Sequence, residues 1–396
     1  MGNILKNYKV YKNSEILTRV QNPVEVEEEV EYVQIGIRSH AKGIFIKEPV
    51  LGKELGNKRV FWIEEDCFIV NIVFAWERAI AQTNSELKGF IASHRFPMYR
   101  VDNNKVDLDY FTRLYQTNRG KYLLELASPG GAGRNKTLGQ KEFMELEIKL
   151  PPLEIQKNIS VFLNVLDRLI AKQQEKVEVW REYKKGMIQK LFSQDLRFKD
   201  EDGKDFPEWE EVKLKDISLS ISYGMNAAAK EFDGENIYLR ITDIDDESRQ
   251  FIEKGKVSPN GLLEEKYKLK KGDILFARTG ASTGKSFIFD DEERSFYFAG
   301  FLIRARLKET VDGNFVYQST LTSNYKEWVK IMSMRSGQPG INGVEYGELS
   351  FQLPCLKEQQ KIAELLSTLD EKIQNETNKV ELFHLQKQAF MQQMFI

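Results

Sequence analysis

The stretch LPPLEIQKNISVFLNVLDRLIAKQQEKVEVWREYKKGMIQKLF, residues 150 to 192, returns as LPCLKEQQKIAELLSTLDEKIQNETNKVELFHLQKQAFMQQMF, residues 353 to 395, at a constant offset of 203. Fifteen of the 43 aligned positions are identical, among them Gln156, Ile159, Leu163, Leu166, Asp167, Ile170, Val177 and Lys184. A tandem repeat is read before any local motif, because it sets the number of structural units. Steps of four and three from Ile159 pass through Leu163, Leu166, Ile170, Gln173, Val177, Trp180, Lys184, Met187 and Leu191. The same steps from Ile362 pass through Leu366, Leu369, Ile373, Glu376, Val380, Phe383, Lys387, Phe390 and Met394. Heptad spacing sustained this long, with charge elsewhere on the surface, predicts a coiled-coil arm. Each stripe covers ~32 residues, or roughly 48 Å at the α-helical rise. Pro151 and Pro354 mark the helix starts, where proline is tolerated.

Each helix could instead fold back alone on its own domain. Length argues against this, since Gly186 is the one Gly or Pro within the stripes and lies off the seam. Two matching helices pair most simply with each other. Antiparallel pairing gives a duplicated chain a pseudo-two-fold axis, and it sets Gln173 opposite Val380 and Glu376 opposite Val177.

Composition describes an intracellular multi-domain protein: 396 residues, 41% hydrophobic, with no run approaching the ~18 apolar residues of a membrane span. No charged-then-apolar leader stands at the N-terminus, so a cytoplasmic location is expected. Cys67 and Cys355 form no disulfide framework, and His40, His94 and His384 form no metal-ligand cluster.

The segments between the arms repeat more loosely. Tyr32-Val33-Gln34-Ile35 matches Tyr238-Leu239-Arg240-Ile241, and Glu65 to Asn71 matches Gly272 to Arg278. Phe96 to Val101 parallels Ile303 to Leu307. Cys67 to Val70 and Asp273 to Phe276 read as strands. Asp107 to Asn118 and Asn314 to Thr322 read as helices closing each unit, each opened by an N-cap residue. The expected fold class is therefore α+β: two α/β domains, 1–150 and 208–352, and two long helical repeats, 151–194 and 353–396, forming an antiparallel coiled coil. Residues 195–207, charged and ending in proline, read as a linker.

In the second half, Gly272-Asp273-Ile274-Leu275-Phe276-Ala277-Arg278-Thr279-Gly280 follows an opening Phe206-Pro207-Glu208-Trp209-Glu210 with Lys213-Leu214 and Asp216-Ile217. Each arm opens on Leu-Pro-x-Leu-x-x-Gln. Together and in this order these strings resemble the target recognition domains and helical repeats of specificity subunits from type I restriction-modification systems, across essentially the whole chain. The first unit departs from the pattern, with Tyr8 and Asn71-Ile72-Val73 where the second has Phe-Pro-x-Trp and Arg-Thr-Gly.

The resemblance implies a subunit that is not catalytic alone. It reads double-stranded DNA, binds two methyltransferase subunits that use S-adenosylmethionine, and can be joined by restriction-translocase subunits; ATP and Mg belong to those partners, and no cofactor to this chain. Two domains on an antiparallel arm suit a bipartite target, as in dimeric DNA readers. Because the arms match far better than the recognition domains, the half-sites should differ, with the arm setting the gap. The rival reading is a coiled-coil scaffold whose α/β domains bind protein.

Net charge of −2 does not advertise DNA binding, but Lys266 to Lys285 holds six basic residues and one acid, and Thr112 to Leu138 five and one. Phosphate contacts give affinity, and base edges carry sequence information. Arg278, Thr279, Ser282, Lys285 and Arg335 are expected on the DNA side of the second unit, with Gln338 and Asn342 able to read adenine. In the first unit the candidates are Arg95, Arg134, Asn135 and Lys136. Trp180 and Phe383 are expected in the seam, Arg181, Tyr183 and Lys185 outside it, and Phe162 and Leu365 on a face that a partner helix would meet.

Catalytic readings fail on spacing. Gly280-Ala281-Ser282-Thr283-Gly284-Lys285-Ser286 has three residues between its glycines, where a phosphate loop needs four. Glu147-Ile148-Lys149 and Glu182-Tyr183-Lys184 are triplets that a 30% charged chain produces freely. The Asn-Pro-Pro-Tyr or Asp-Pro-Pro-Tyr string of an adenine methyltransferase is absent.

Overall fold

The computed structural model describes residues 8–130, 136–246, 248–334 and 339–395. Two units emerge, one of residues 1–173 with 379–396 and one of residues 174–378, so each long helix contributes a segment to both.

In the first unit the strands are β1 (Lys9–Lys12), β2 (Leu17–Val20), β3 (Phe68–Val70), β4 (Ile80–Gln82), β5 (Met98–Val101) and β6 (Glu147–Leu150). An antiparallel sheet runs β2-β5-β3-β4, while β1 pairs with β6, the strand that leads into the arm. The second unit repeats this with β7 (Glu210–Lys213), β8 (Ser218–Tyr223), β9 (Ile274–Ala277), β10 (Ser286–Ile288), β11 (Leu302–Leu307) and β12 (Ser350–Leu353). Its sheet runs β8-β11-β9-β10, and β7 pairs with β12.

The central strands are apolar throughout because both faces are covered. Phe68 and Val70 join one core and Ile69 another, and in the second unit Ile274 and Phe276 face away from Leu275 and Ala277. The remaining short strands diverge. In the first unit Ile35–Ile37 and Ile44–Ile46 form a hairpin, whereas in the second Asn236–Leu239 pairs in parallel with Ser295–Phe298.

After each sheet comes a helix, α1 (Leu108–Gln116), followed by α2 (Asn118–Leu126), before the long helix α3 (Leu153–Phe192). In the second unit α4 (Gly313–Ser319) and α5 (Ser323–Met332) precede α6 (Leu356–Met394). Asp107 caps α1 as expected, accepting from Tyr110 N. The cap of α4 is Asp312, two residues before the expected Asn314, and neither helix closes its unit, since a second helix and a strand follow.

The arm helices lie antiparallel in both units. In the first, Phe162 meets Phe390 edge-on with centroids 5.0 Å apart, and Asp167 binds Lys387. In the second, Lys176 reaches Glu376 at 3.1 Å and Lys184 reaches Asp370 at 2.6 Å. As numbering rises along α3 it falls along α6, in the register that sets Gln173 against Val380 and Val177 against Glu376. Glu376 is buried, and Lys176 and Lys372 both reach it.

The Leu-Pro-x-Leu-x-x-Gln motif has a structural reason. Gln156 accepts from Asp107 N and donates to the carbonyls of Lys105 and Pro151, all within the first unit. Gln359 repeats this in the second, accepting from Asp312 N and donating to Pro354 O. Each buried amide thus joins the start of an arm helix to the capped start of the helix that follows the sheet. Gln156→Leu or Gln359→Leu leaves buried backbone groups without partners, and should destabilise by about 1–3 kcal/mol, read as a lower urea midpoint with unchanged slope.

Residues 195–207 are not a free tether. Lys199 bridges to Asp205, Lys361 donates to Lys199 O at 2.7 Å, and Arg197 binds the buried Glu358 at the start of α6. Trp209 donates its indole N–H to the same carboxylate at 3.1 Å, and Arg197 also holds the carbonyls of Phe206 and Pro207. The Phe-Pro-x-Trp opening is therefore a wrap around one buried acid. In the first copy of the repeat that position is Ile155, which accounts for the missing opening there.

A candidate nucleic-acid interface

Where β9 ends, three segments of the second unit converge. Arg278 N donates to Phe301 O at 3.1 Å, and Arg278 O accepts from Ile341 N at 2.9 Å. The first unit builds the same bracket at the end of β3, with Ile72 N donating to Arg95 O at 3.0 Å and Ile72 O accepting from Leu138 N at 2.8 Å. Ile72 thus corresponds to Arg278, one residue on from the Asn71 that the sequence alignment matched to it, and likewise Arg95 to Phe301 and Leu138 to Ile341. Of the described candidates only Lys136 and Asn342 share a segment, the third; Arg278 stands where the first unit has Ile72 and Arg95 where the second has Phe301, so the arginine has moved from one strand end to its neighbour.

The Arg278 guanidinium lies over the Tyr223 ring, 4.8 Å from its centroid, which orients the fork without using up its donors. Tyr223 is fixed in turn, its hydroxyl accepting from Gly343 N at 2.8 Å. Thr279 is extended and bridges Gly340, while Ser282 ends the single turn Gly280–Ser282. Thr283 ties that turn down by donating to Gly280 O. Phe301 is 63% exposed beside Arg278. No motif marked it: Phe296 and Phe298 are buried, and the chain turns at Gly300, leaving the next aromatic outside.

Lys285 is not on this surface. Its side chain is buried, and its ammonium binds Ile244 O and Asp246. Gly284, at φ +86°, makes that turn, and a Cβ there would lie 2.4 Å from the Val329 side chain. The loop that imitates a phosphate cradle is therefore packed against the protein's own helix α5. Asn342 uses its side-chain oxygen to cap the short helix Gly343–Gly347, accepting from Val344 N and Glu345 N. This oxygen is structural and not a base reader.

Tyr325 and Tyr346 donate to Gly284 O and Ala277 O beneath the site, and burial pushes both phenols up, so they stay protonated donors. Asp273 of the sequence motif is buried and holds Arg306 through two oxygens at 2.8 and 2.7 Å; Gly272, at φ +84°, makes the preceding turn. The buried part of that motif, Asp273 to Ala277, builds the strand that carries Arg278 at its end.

In the first unit Arg95 is exposed, and Lys136 lies 5.9 Å from the centroid of the Trp76 ring. Arg134 and Asn135, like Arg335 and Gln338, lie outside the described residues. The two Glu-x-Lys triplets are structural: Glu147-Ile148-Lys149 lies in β6, and Lys184 is bound to Asp370. Among the described residues there is no group of three or more His, Cys, Asp or Glu side chains able to hold a metal ion, and no helix is long and apolar enough to cross a membrane.

A family model described as the type I restriction modification DNA specificity domain matches residues 20–179 and again residues 207–382. The chain is 25% identical over 386 residues to the type I restriction enzyme MjaVIII specificity subunit of Methanocaldococcus jannaschii, covering 93% of this chain and 86% of that one. It is 26% identical over 205 residues to the HindI specificity subunit of Haemophilus influenzae, covering 48% and 41%. Its fold resembles that of the type I restriction-modification S subunit from M. genitalium, with a TM-score of 0.58, 15% identity and coverage of 100% and 97%. A chain from a study of type I restriction-modification complex assembly gives a TM-score of 0.59 at 16% identity, covering 98% of each.

Proposed function

Since the chain belongs to the type I restriction-modification DNA specificity family, with two such domains, we propose that each recognition domain, 1–150 and 208–352, reads one half of an asymmetric bipartite DNA target and that the arm sets the gap. The observation that carries this is the shared backbone bracket with different side chains upon it: arginine and an exposed phenylalanine in the second unit, isoleucine and an exposed arginine in the first. Equal frames with unequal readers suit unequal half-sites. We assign DNA contact to Arg278, Thr279 and Ser282 in the second unit and to Arg95 and Lys136 in the first.

The chain acts in the cytoplasm without catalysis or cofactor of its own. Two methyltransferase subunits using S-adenosylmethionine dock on the arm, and ATP and Mg serve restriction-translocase partners. We assign that docking to α3, where Val161, Phe162, Val165 and Leu169 are 61%, 37%, 43% and 46% exposed on one face. Leu365, expected on the equivalent face of α6, is half-buried against its own core and contributes less.

Replacing residues 1–150 by the corresponding domain of another family member tests the modular reading. Methylated adenines mapped in cells that also carry the methyltransferase should then show one half of the target changed and the other kept. Change in both halves overturns it. Binding that does not weaken as salt rises would favour the scaffold reading, since neutralised phosphates release counterions.

A further inference from the structure

Among the charges the repeat writes into the arm twice are Asp167 and Lys184, which return as Asp370 and Lys387. Antiparallel pairing crosses them: Lys184 binds both oxygens of Asp370 at 2.6 and 2.7 Å, and Lys387 binds Asp167. Each pair is gripped by the first helix after the sheet of its own unit. Arg113 of α1 reaches Asp167 at 2.9 Å, and Gln318 of α4 reaches Asp370 at 2.9 Å. Lys184 and Gln318 are buried, and burial pushes the Lys184 ammonium down. Asp167 is half-exposed; its burial works against ionisation, but Lys387 and Arg113 hold its carboxyl below the usual value.

We propose that these two crossed pairs are the register lock of the arm, fixing which residues of α3 face which of α6 and so the gap between half-sites. The inference rests on the reading of the arm as the spacer. A heptad seam alone cannot fix register, because a slip of seven residues returns apolar positions to apolar positions, whereas a single polar layer can. Such a slip sets Asp167 against Val380 or Met394, and Asp370 against Val177 or Leu191. Lys184 would then face Ala363 or Thr377. Every slipped register thus strands charges that the observed one pairs. Because Arg113 and Gln318 hold the same carboxylates, a slip also detaches the arm from the recognition domain.

The test uses the full chain with its methyltransferase and reads the gap in mapped methylated adenines. Asp370→Lys sets lysine against lysine and should add gaps other than the native one, while Asp370→Lys with Lys184→Asp should return a single gap, as the neutral Gln318 accepts either charge. A purely stabilising role would lower total methylation without altering gap length. Oxidative cross-linking reads register without DNA. Gln173→Cys should join Val380→Cys in the native chain, and Ile373→Cys only once Asp370→Lys is present. If Asp370→Lys does not fold, Asp167→Asn with Asp370→Asn keeps the volumes and is read by the same cross-links. One gap and one cross-linking register in every variant overturn the lock. A heptad inserted into both arm helices separates the two ideas: if the gap ignores the insertion, the spacer reading fails, and if it moves while Asp370→Lys leaves it fixed, the lock alone fails.

Discussion

Glu358→Ala should destabilise the second unit by about 3–5 kcal/mol, the cost of removing one partner from a buried ion pair. Glu358 is fully buried in the first turn of α6, where Arg197 meets it at 3.2 and 2.9 Å and Trp209 at 3.1 Å. Truncation leaves the indole N–H without its acceptor, strips the guanidinium of its buried carboxylate while the carbonyls of Phe206 and Pro207 remain to it, and opens a void under Trp209. Because the Arg197 side chain is 19% exposed and reaches water at its edge, the lower end of the range is expected. Replacing both partners by apolar groups of similar size, Glu358→Leu with Arg197→Met, should recover most of the loss, since the first copy of the repeat does without the acid at Ile155. Urea unfolding of the variants decides it. A loss below about 1 kcal/mol for Glu358→Ala would mean that the cluster is solvated and that the wrap of 195–207 contributes little.

The cluster also shows where sequence stops speaking. Phe206-Pro207-Glu208-Trp209 could be recognised as a string, yet its reason lies 149 residues downstream of Trp209 at Glu358, and no local pattern links them. The arm was legible because its information is local and written twice: period and pairing register follow from the repeat, whereas Lys184 and Lys387 read only as seam positions and their crossed pairing with Asp370 and Asp167 emerges from the structure. Central strands were legible for a similar reason, an apolar run bounded by turns. Lys285 was misread because a lysine after a Gly-rich turn looks solvated, whereas its partner Asp246 comes from a segment 39 residues earlier. Asn342 was misread because an amide able to read adenine is equally able to cap a helix, and only the backbone that follows decides. Phe301 was missed because exposure belongs to tertiary packing.

Arg278→Ala should weaken binding to the full target by about 1–3 kcal/mol, roughly fivefold to 150-fold, while leaving stability within about 0.5 kcal/mol. Its guanidinium is half-exposed and oriented by Tyr223, and its hydrogen bond to Gly300 O is long at 3.5 Å, so folding does not depend on it. Lys285→Ala should do the reverse, lowering stability through the loss of the Ile244 and Asp246 contacts while the folded fraction binds DNA normally. The form of the Arg278 defect identifies its contact. A base contact loses discrimination at one position of the second half-site, whereas a phosphate contact weakens all sequences alike and reduces the salt slope by about one. Equal affinity for Arg278→Ala and the native chain, with a clear loss for Lys285→Ala at matched folded protein, would place the DNA on the opposite face of the sheet and remove the bracket from the interface.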